Sequence, residues 1–107
     1  MIKLAFFVSR HPELSRAQFR DHAESVYLPL LKQLPGLKRL VLNFRQSVEG
    51  PGQLEIDVMA ELWFDSMATY QHAIHGSTQG EAVRKDRAGF FDETRSKWML
   101  CEETSVF

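Results

Sequence analysis

The sequence predicts an α+β domain of ferredoxin-like plan, β-α-β-β-α-β, with two helices on one face of a four-stranded antiparallel sheet. Apolar alternation of period two marks strands at both ends of the chain and a strand pair in its middle. Helical periodicity marks the stretches between them. The 107 residues, 44% hydrophobic and 25% charged, suit one compact domain spanning 1–107 with its own core.

In residues 2–8, Ile2, Leu4, Phe6 and Val8 alternate with Lys3, Ala5 and Phe7, and Pro12 ends the strand because it cannot donate to a ladder. Ser15-Arg16-Ala17-Gln18 has the spacing of a capping box, a hydroxyl N-cap with Gln three residues on. The helix it opens places Phe19, Ala23, Val26, Leu30 and Leu34 on one stripe, with Tyr27 and Leu31 on the flank. Pro29 inside this pattern lacks an amide hydrogen, so a kink or loosened turn is expected beside it, and Leu34-Pro35-Gly36 terminates the helix.

Leu37–Gln46 and Leu54–Phe64 read as a strand pair joined through Ser47-Val48-Glu49-Gly50-Pro51-Gly52-Gln53. Pairing Phe44 with Ile56, Leu42 with Val58 and Leu40 with Ala60 makes one face apolar, and sets Arg45 opposite Glu55, Asn43 opposite Asp57 and Arg39 opposite Glu61. Asp65 is the expected cap of a short helix with stripe Met67, Tyr70 and Ile74, ending at Gly76. A further helical stretch from about Thr78 carries Val83, Arg87, Phe90 and Phe91 on one side, and 97–102 form the last strand.

A net charge of -1 argues against the basic footprint of a nucleic-acid binder. The single cysteine, Cys101, excludes an internal disulfide. The apolar run at the start stops at Ser9-Arg10-His11, too short for a signal core or a membrane span, so the expectation is a cytoplasmic protein with no membrane partner. The helix-free sheet face would carry Ala5, Phe7, Val41, Met59, Trp63 and Met99 among charged residues. That much apolar surface calls for cover, and a homodimer packed through this face supplies it.

The opening strand, Leu14-Ser15 with Phe19-Arg20, Tyr27-Leu28-Pro29-Leu30 leading to Leu34-Pro35-Gly36-Leu37, Ala60-Glu61-Leu62-Trp63-Phe64-Asp65-Ser66, and Phe90-Phe91-Asp92 together resemble the EthD family of the dimeric α+β barrel superfamily. The resemblance covers nearly the whole chain. It implies a barrel-forming homodimer with a small-molecule pocket between sheet and helices, lined here by Phe6, Ala23, Leu42, Phe44, Leu62 and Phe91, and chemistry without metal or organic cofactor. Where the family's first helix usually carries Trp and, four residues on, His, this chain has Ala23 and Tyr27, while Pro29 is kept.

Three side chains are candidates for chemistry: Tyr27 as a donor to a carbonyl or enolate oxygen, and His22 or Asp92 to move a proton. The expected activity is that of an isomerase, lyase or dehydratase acting on a small oxygenated or aromatic metabolite in a catabolic or polyketide-type pathway. A non-catalytic carrier using the same pocket is the first alternative. A monooxygenase-like member of the superfamily is the second, though Tyr70-Gln71-His72-Ala73 puts His72 on the wet side of its helix, and His75 with it.

Overall fold

The computed structural model describes residues 1–46 and 50–106; Ser47, Val48 and Glu49 of the expected connection lie outside the described residues. Strands β1 (Ile2–Val8), β2 (Leu37–Phe44), β3 (Val58–Phe64) and β4 (Lys97–Glu102) form one antiparallel sheet in the order β2-β3-β1-β4. The helical layers are α1 (Arg16–His22), α2 (Leu28–Lys32), α3 (Met67–Gln71) and α4 (Thr78–Ala88). They cover one sheet face, so the ferredoxin-like plan holds.

Ser15 caps α1 through the reciprocal bonds its sequence spacing predicts. Between α1 and α2 the chain makes a π-helical turn, Ala23–Tyr27, closed by the Leu28 amide reaching the Ala23 carbonyl. Pro29 sits just beyond it and cannot donate to the ordinary ladder, so the loosened turn falls where expected. The consequence was not anticipated. One extra residue per turn rotates the inner stripe to Phe19, Ala23, Tyr27, Leu31 and Leu34, which are buried, and turns Val26 outward at 40% exposure.

The β2–β3 register differs by two residues from the expected one: Phe44 pairs with Val58, Leu42 with Ala60 and Leu40 with Leu62. Arg39 faces Trp63 and Asn43 faces Met59. The reason lies at Asp57. Its backbone is bonded to Val8 and Arg45 and its carboxylate takes the Arg10 amide and guanidinium, at 2.9 and 3.1 Å, tertiary contacts that place Asp57 opposite Arg45 where β3 begins. A shift of two preserves which side chains face the helices.

Ser66, rather than Asp65, caps α3 by accepting from the Thr69 amide; Asp65 instead pairs with Lys38 at 3.5 Å. Met67, expected inward, is exposed, while Tyr70 is buried. A second π-helical turn, His72–Gly76, joins α3 to the Ser77 cap of α4.

The helix-free face is partly covered by its own chain. Trp63, 7% exposed, lies beneath Lys3 and Arg39, and its indole N–H donates to Glu103. Lys3 and Asn43 both bond Glu61, at 3.1 and 2.9 Å. The Glu61 bond raises the Lys3 ammonium pKa; burial pushes the Glu61 carboxyl up, but its bonds to Asn43 and Lys3 win and hold it low. Phe7, Val41 and Met59 remain half-exposed, and Met99 is open to solvent.

Candidate functional site

Between the helices and the β4 side of the sheet lies a cavity of about 270 Å³. The sheet supplies Leu4, Phe6, Leu62 and, at the mouth, the exposed Trp98. The π-helical turn of the first helical segment delivers Tyr27, α3 delivers Tyr70, and the second π-helical turn delivers Ile74 and His75. From α4 come Gly80, Val83, Arg84 and Arg87, spaced to share one helix face.

Two local features hold α4 in place. Gly80 passes so close to the second π-helical turn that a Cβ there would stand 2.3 Å from the Ala73 carbonyl oxygen. Arg84 donates to the Ile74 carbonyl, one of the groups the widened turn leaves without a helical partner.

Arg87 is the charge at the centre. Its side chain is 18% exposed, lies over the Phe6 ring at 5.0 Å, and has Glu93 as counter-ion at 3.5 Å. It is the buried Nε that faces Glu93, an ion pair without a hydrogen bond. Two phenols share the cavity with it. Burial pushes the Tyr27 hydroxyl well above its ordinary pKa, with the Arg87 charge opposing, and Tyr70 is raised in the same way. Both are therefore protonated donors at neutral pH, unsuited to act as bases. A guanidinium and two phenols around an apolar space are equipped to hold a ligand oxygen that carries or develops negative charge.

Aromatic packing fixes the Tyr27 ring. It meets Phe90 and Phe91 edge-on at 5.0 and 5.4 Å, and Phe91 in turn meets Phe6 at 5.7 Å.

Of the residues expected at the site, Tyr27, Phe6 and Leu62 line the cavity. Phe91 stands behind Tyr27 as support, and Ala23 is buried in the core beneath the same segment. Leu42 and Phe44 lie on strand β2, away from the cavity, and Phe44 instead stacks under Arg20 at 4.2 Å. His22 also lies outside. Its Nε2 sits 3.0 Å from both Asp86 oxygens and its ring packs on Phe90, so it fastens α1 to α4. Asp92 accepts from the Thr94 amide and hydroxyl, which hold its carboxyl below the usual range, in a turn before β4.

Arg87, Arg84, Tyr70, His75 and Glu93 were not anticipated as site residues. For Arg87 the signal was available: an arginine on the same inward stripe as Val83 and two phenylalanines needs a buried reason. His72 is exposed as expected, whereas the exposed His75 reaches the cavity rim. Among the described residues, no group of three or more His, Cys, Asp or Glu side chains is placed to hold a metal ion. No helix among them is long and apolar enough to cross a membrane.

Residues 11–94 match the EthD domain family. An EthD-family protein from Bacillus halodurans C-125 superposes with a TM-score of 0.80 at 27% identity, covering 97% of this chain and 99% of its own. A dimeric ferredoxin-like protein from Thermobifida fusca superposes at 0.74 with 10% identity, covering 95% of this chain and 90% of its own. A cofactor-independent oxygenase from Streptomyces nogalater does so at 0.67 with 10% identity, covering 98% and 94%. Among curated proteins none matches the chain.

Proposed function

The chain belongs to the EthD family, and from that premise we propose that its cavity binds a small oxygenated or aromatic metabolite and catalyses proton transfer next to a carbonyl, as an isomerase, lyase or dehydratase without a cofactor. The observation that carries this is the placement of Arg87 between apolar walls with Tyr27 and Tyr70. In this reading Arg87 attracts the ligand's anionic oxygen, and the Tyr27 hydroxyl donates to the oxygen as enolate character develops. The proton goes to a rim group, Glu93 or His75, in place of His22 and Asp92.

The functional unit in this proposal is a homodimer joined through the helix-free face. Half-exposed Phe7, Val41 and Met59 with exposed Met99 support it, as does the dimeric state of the Thermobifida fusca neighbour.

A carrier that binds the same ligand without chemistry is the second reading. One observation favours it: both side chains expected to move protons, His22 and Asp92, have structural partners elsewhere. A thermal-shift screen of aromatic diols, lactones and polyketide-like phenols separates the possibilities. Members with an acidic phenol, bound as the phenolate, should raise the unfolding midpoint of the wild type and not of Arg87→Gln. Chemical analysis of the recovered ligand then distinguishes an enzyme, which transforms it, from a carrier, which returns it unchanged. Equal stabilisation of both proteins by every ligand would refute the anion-binding role.

A further inference from the structure

We propose that the cleft between the start of α1 and the ends of β1 and β2 is a second ligand site, one that takes a phosphate group. It has a volume of about 430 Å³ and shares no lining residue with the cavity around Arg87. Four separate segments each send an arginine to it: Arg10 after β1, Arg16 at the start of α1, Arg45 after β2 and Arg95 before β4. Only Asp57 and Glu55 oppose them there.

The pairing leaves a surplus. Arg10 is satisfied by Asp57 at 3.1 Å and by the Leu14 carbonyl, and Arg95 reaches Glu55 at 3.3 Å. Arg16 comes no nearer than 3.9 Å to the already occupied Asp57. Arg45 has no carboxylate within ion-pair distance among the described residues; it donates to the Gln53 amide oxygen, and its Nε is buried with no hydrogen-bond partner. The cleft thus sets four guanidinium charges against two carboxylates, with Arg16 sharing Asp57 and Arg45 unpaired, in a chain whose net charge is -1.

Gathering four guanidinium groups is unfavourable unless an anion joins them, and their forked donors match the oxygens of phosphate. A phosphate monoester carries about −1.5 to −2 charge at neutral pH, the amount needed to offset the surplus. A simple carboxylate would offset only half. The ligand class is therefore inorganic phosphate or a phosphate monoester, with Arg16 and Arg45 supplying the free donors.

Calorimetric titration of the full chain at constant ionic strength tests this, using inorganic phosphate, phenyl phosphate and acetate. Both phosphates should bind more tightly than acetate, and Arg16→Gln and Arg45→Gln should each weaken them about tenfold. Arg87→Gln should leave phosphate binding unchanged, which separates this site from the cavity proposed above. Tighter binding of phenyl phosphate assigns the site to an ester; equal binding assigns it to free phosphate. Should Arg45→Gln fail to fold, Arg16→Gln at an exposed helix start decides alone. Phosphate affinity no greater than that of acetate, or unaffected by the Arg16 and Arg45 substitutions, or lost with Arg87→Gln, would overturn the proposal.

Discussion

At Tyr27 the ring is 5% exposed and its hydroxyl has no hydrogen-bond partner among the described residues, so burial disfavours the phenolate and leaves a donor free for a ligand. The chain has two tyrosines, and both are raised above the ordinary value of 10.0. The sign follows from linkage: the unfolded chain loses these protons first, so their contribution to stability is complete below about pH 10 and is lost as pH rises through the folded values. Phenolate absorbance of the native protein should therefore rise at higher pH than in denaturant. A native curve lying on the denatured one would contradict the burial assigned to both phenols. Tyr27→Phe removes a hydroxyl without a protein partner, so its stability should change by less than about 1 kcal/mol in denaturant unfolding. Loss of turnover in that variant would then be chemical in origin. At this scale the place of Tyr27 on the cavity wall was legible because a phenol beside an apolar stripe stands out. His22 was misleading for a physical reason: its partner Asp86 is 64 residues away, and no local spacing announces such a bond.

The two π-helical turns, Ala23–Tyr27 and His72–Gly76, do at the level of elements what periodicity could not foretell. Each adds a residue to a turn and so rotates every side chain downstream. In the first segment this exchanges Val26 for Tyr27 on the buried side. Pro29 announced a disturbance, but not its direction of rotation. In the second, the widened turn brings His75 to the cavity rim, while its Ala73 carbonyl accepts from the Ser77 hydroxyl close beside Gly80 and its Ile74 carbonyl from Arg84. Gly80→Ala should therefore destabilise the protein by about 1–3 kcal/mol in denaturant unfolding, because the new methyl meets backbone atoms that cannot rotate away. An unchanged midpoint would mean that α4 does not depend on this close approach. The β2–β3 register differs by two residues for a comparable reason, since the contacts of Asp57 with Arg10, Val8 and Arg45 are tertiary. Strand parity, which local sequence does encode, was unaffected.

Across the molecule, the ferredoxin-like plan and the division of the sheet into a helix-covered and a helix-free face were legible from alternation alone. The cavity was not, because it is assembled from two helical segments, the loop before β4 and the sheet, and its depth depends on how far each helix is rotated. The proposed dimer is tested by Met99→Glu, an exposed position where a charge costs the single chain little. Light scattering should give twice the chain mass for the wild type and a shift toward one chain mass for the variant, with the circular dichroism spectrum retained. Two wild-type chains that separate at micromolar concentration would argue for another cover on that face. In the function proposed above, Arg87 and Tyr27 together hold an oxyanion of the ligand. The most direct test of this is calorimetric titration of the best ligand from the screen into wild type, Arg87→Gln, Tyr27→Phe and the double variant. Losses of about tenfold or more are expected for Arg87→Gln, with a double-variant loss smaller than the product of the single ones, since both groups contact one oxygen. Independent, multiplying losses, or none at all, would contradict it.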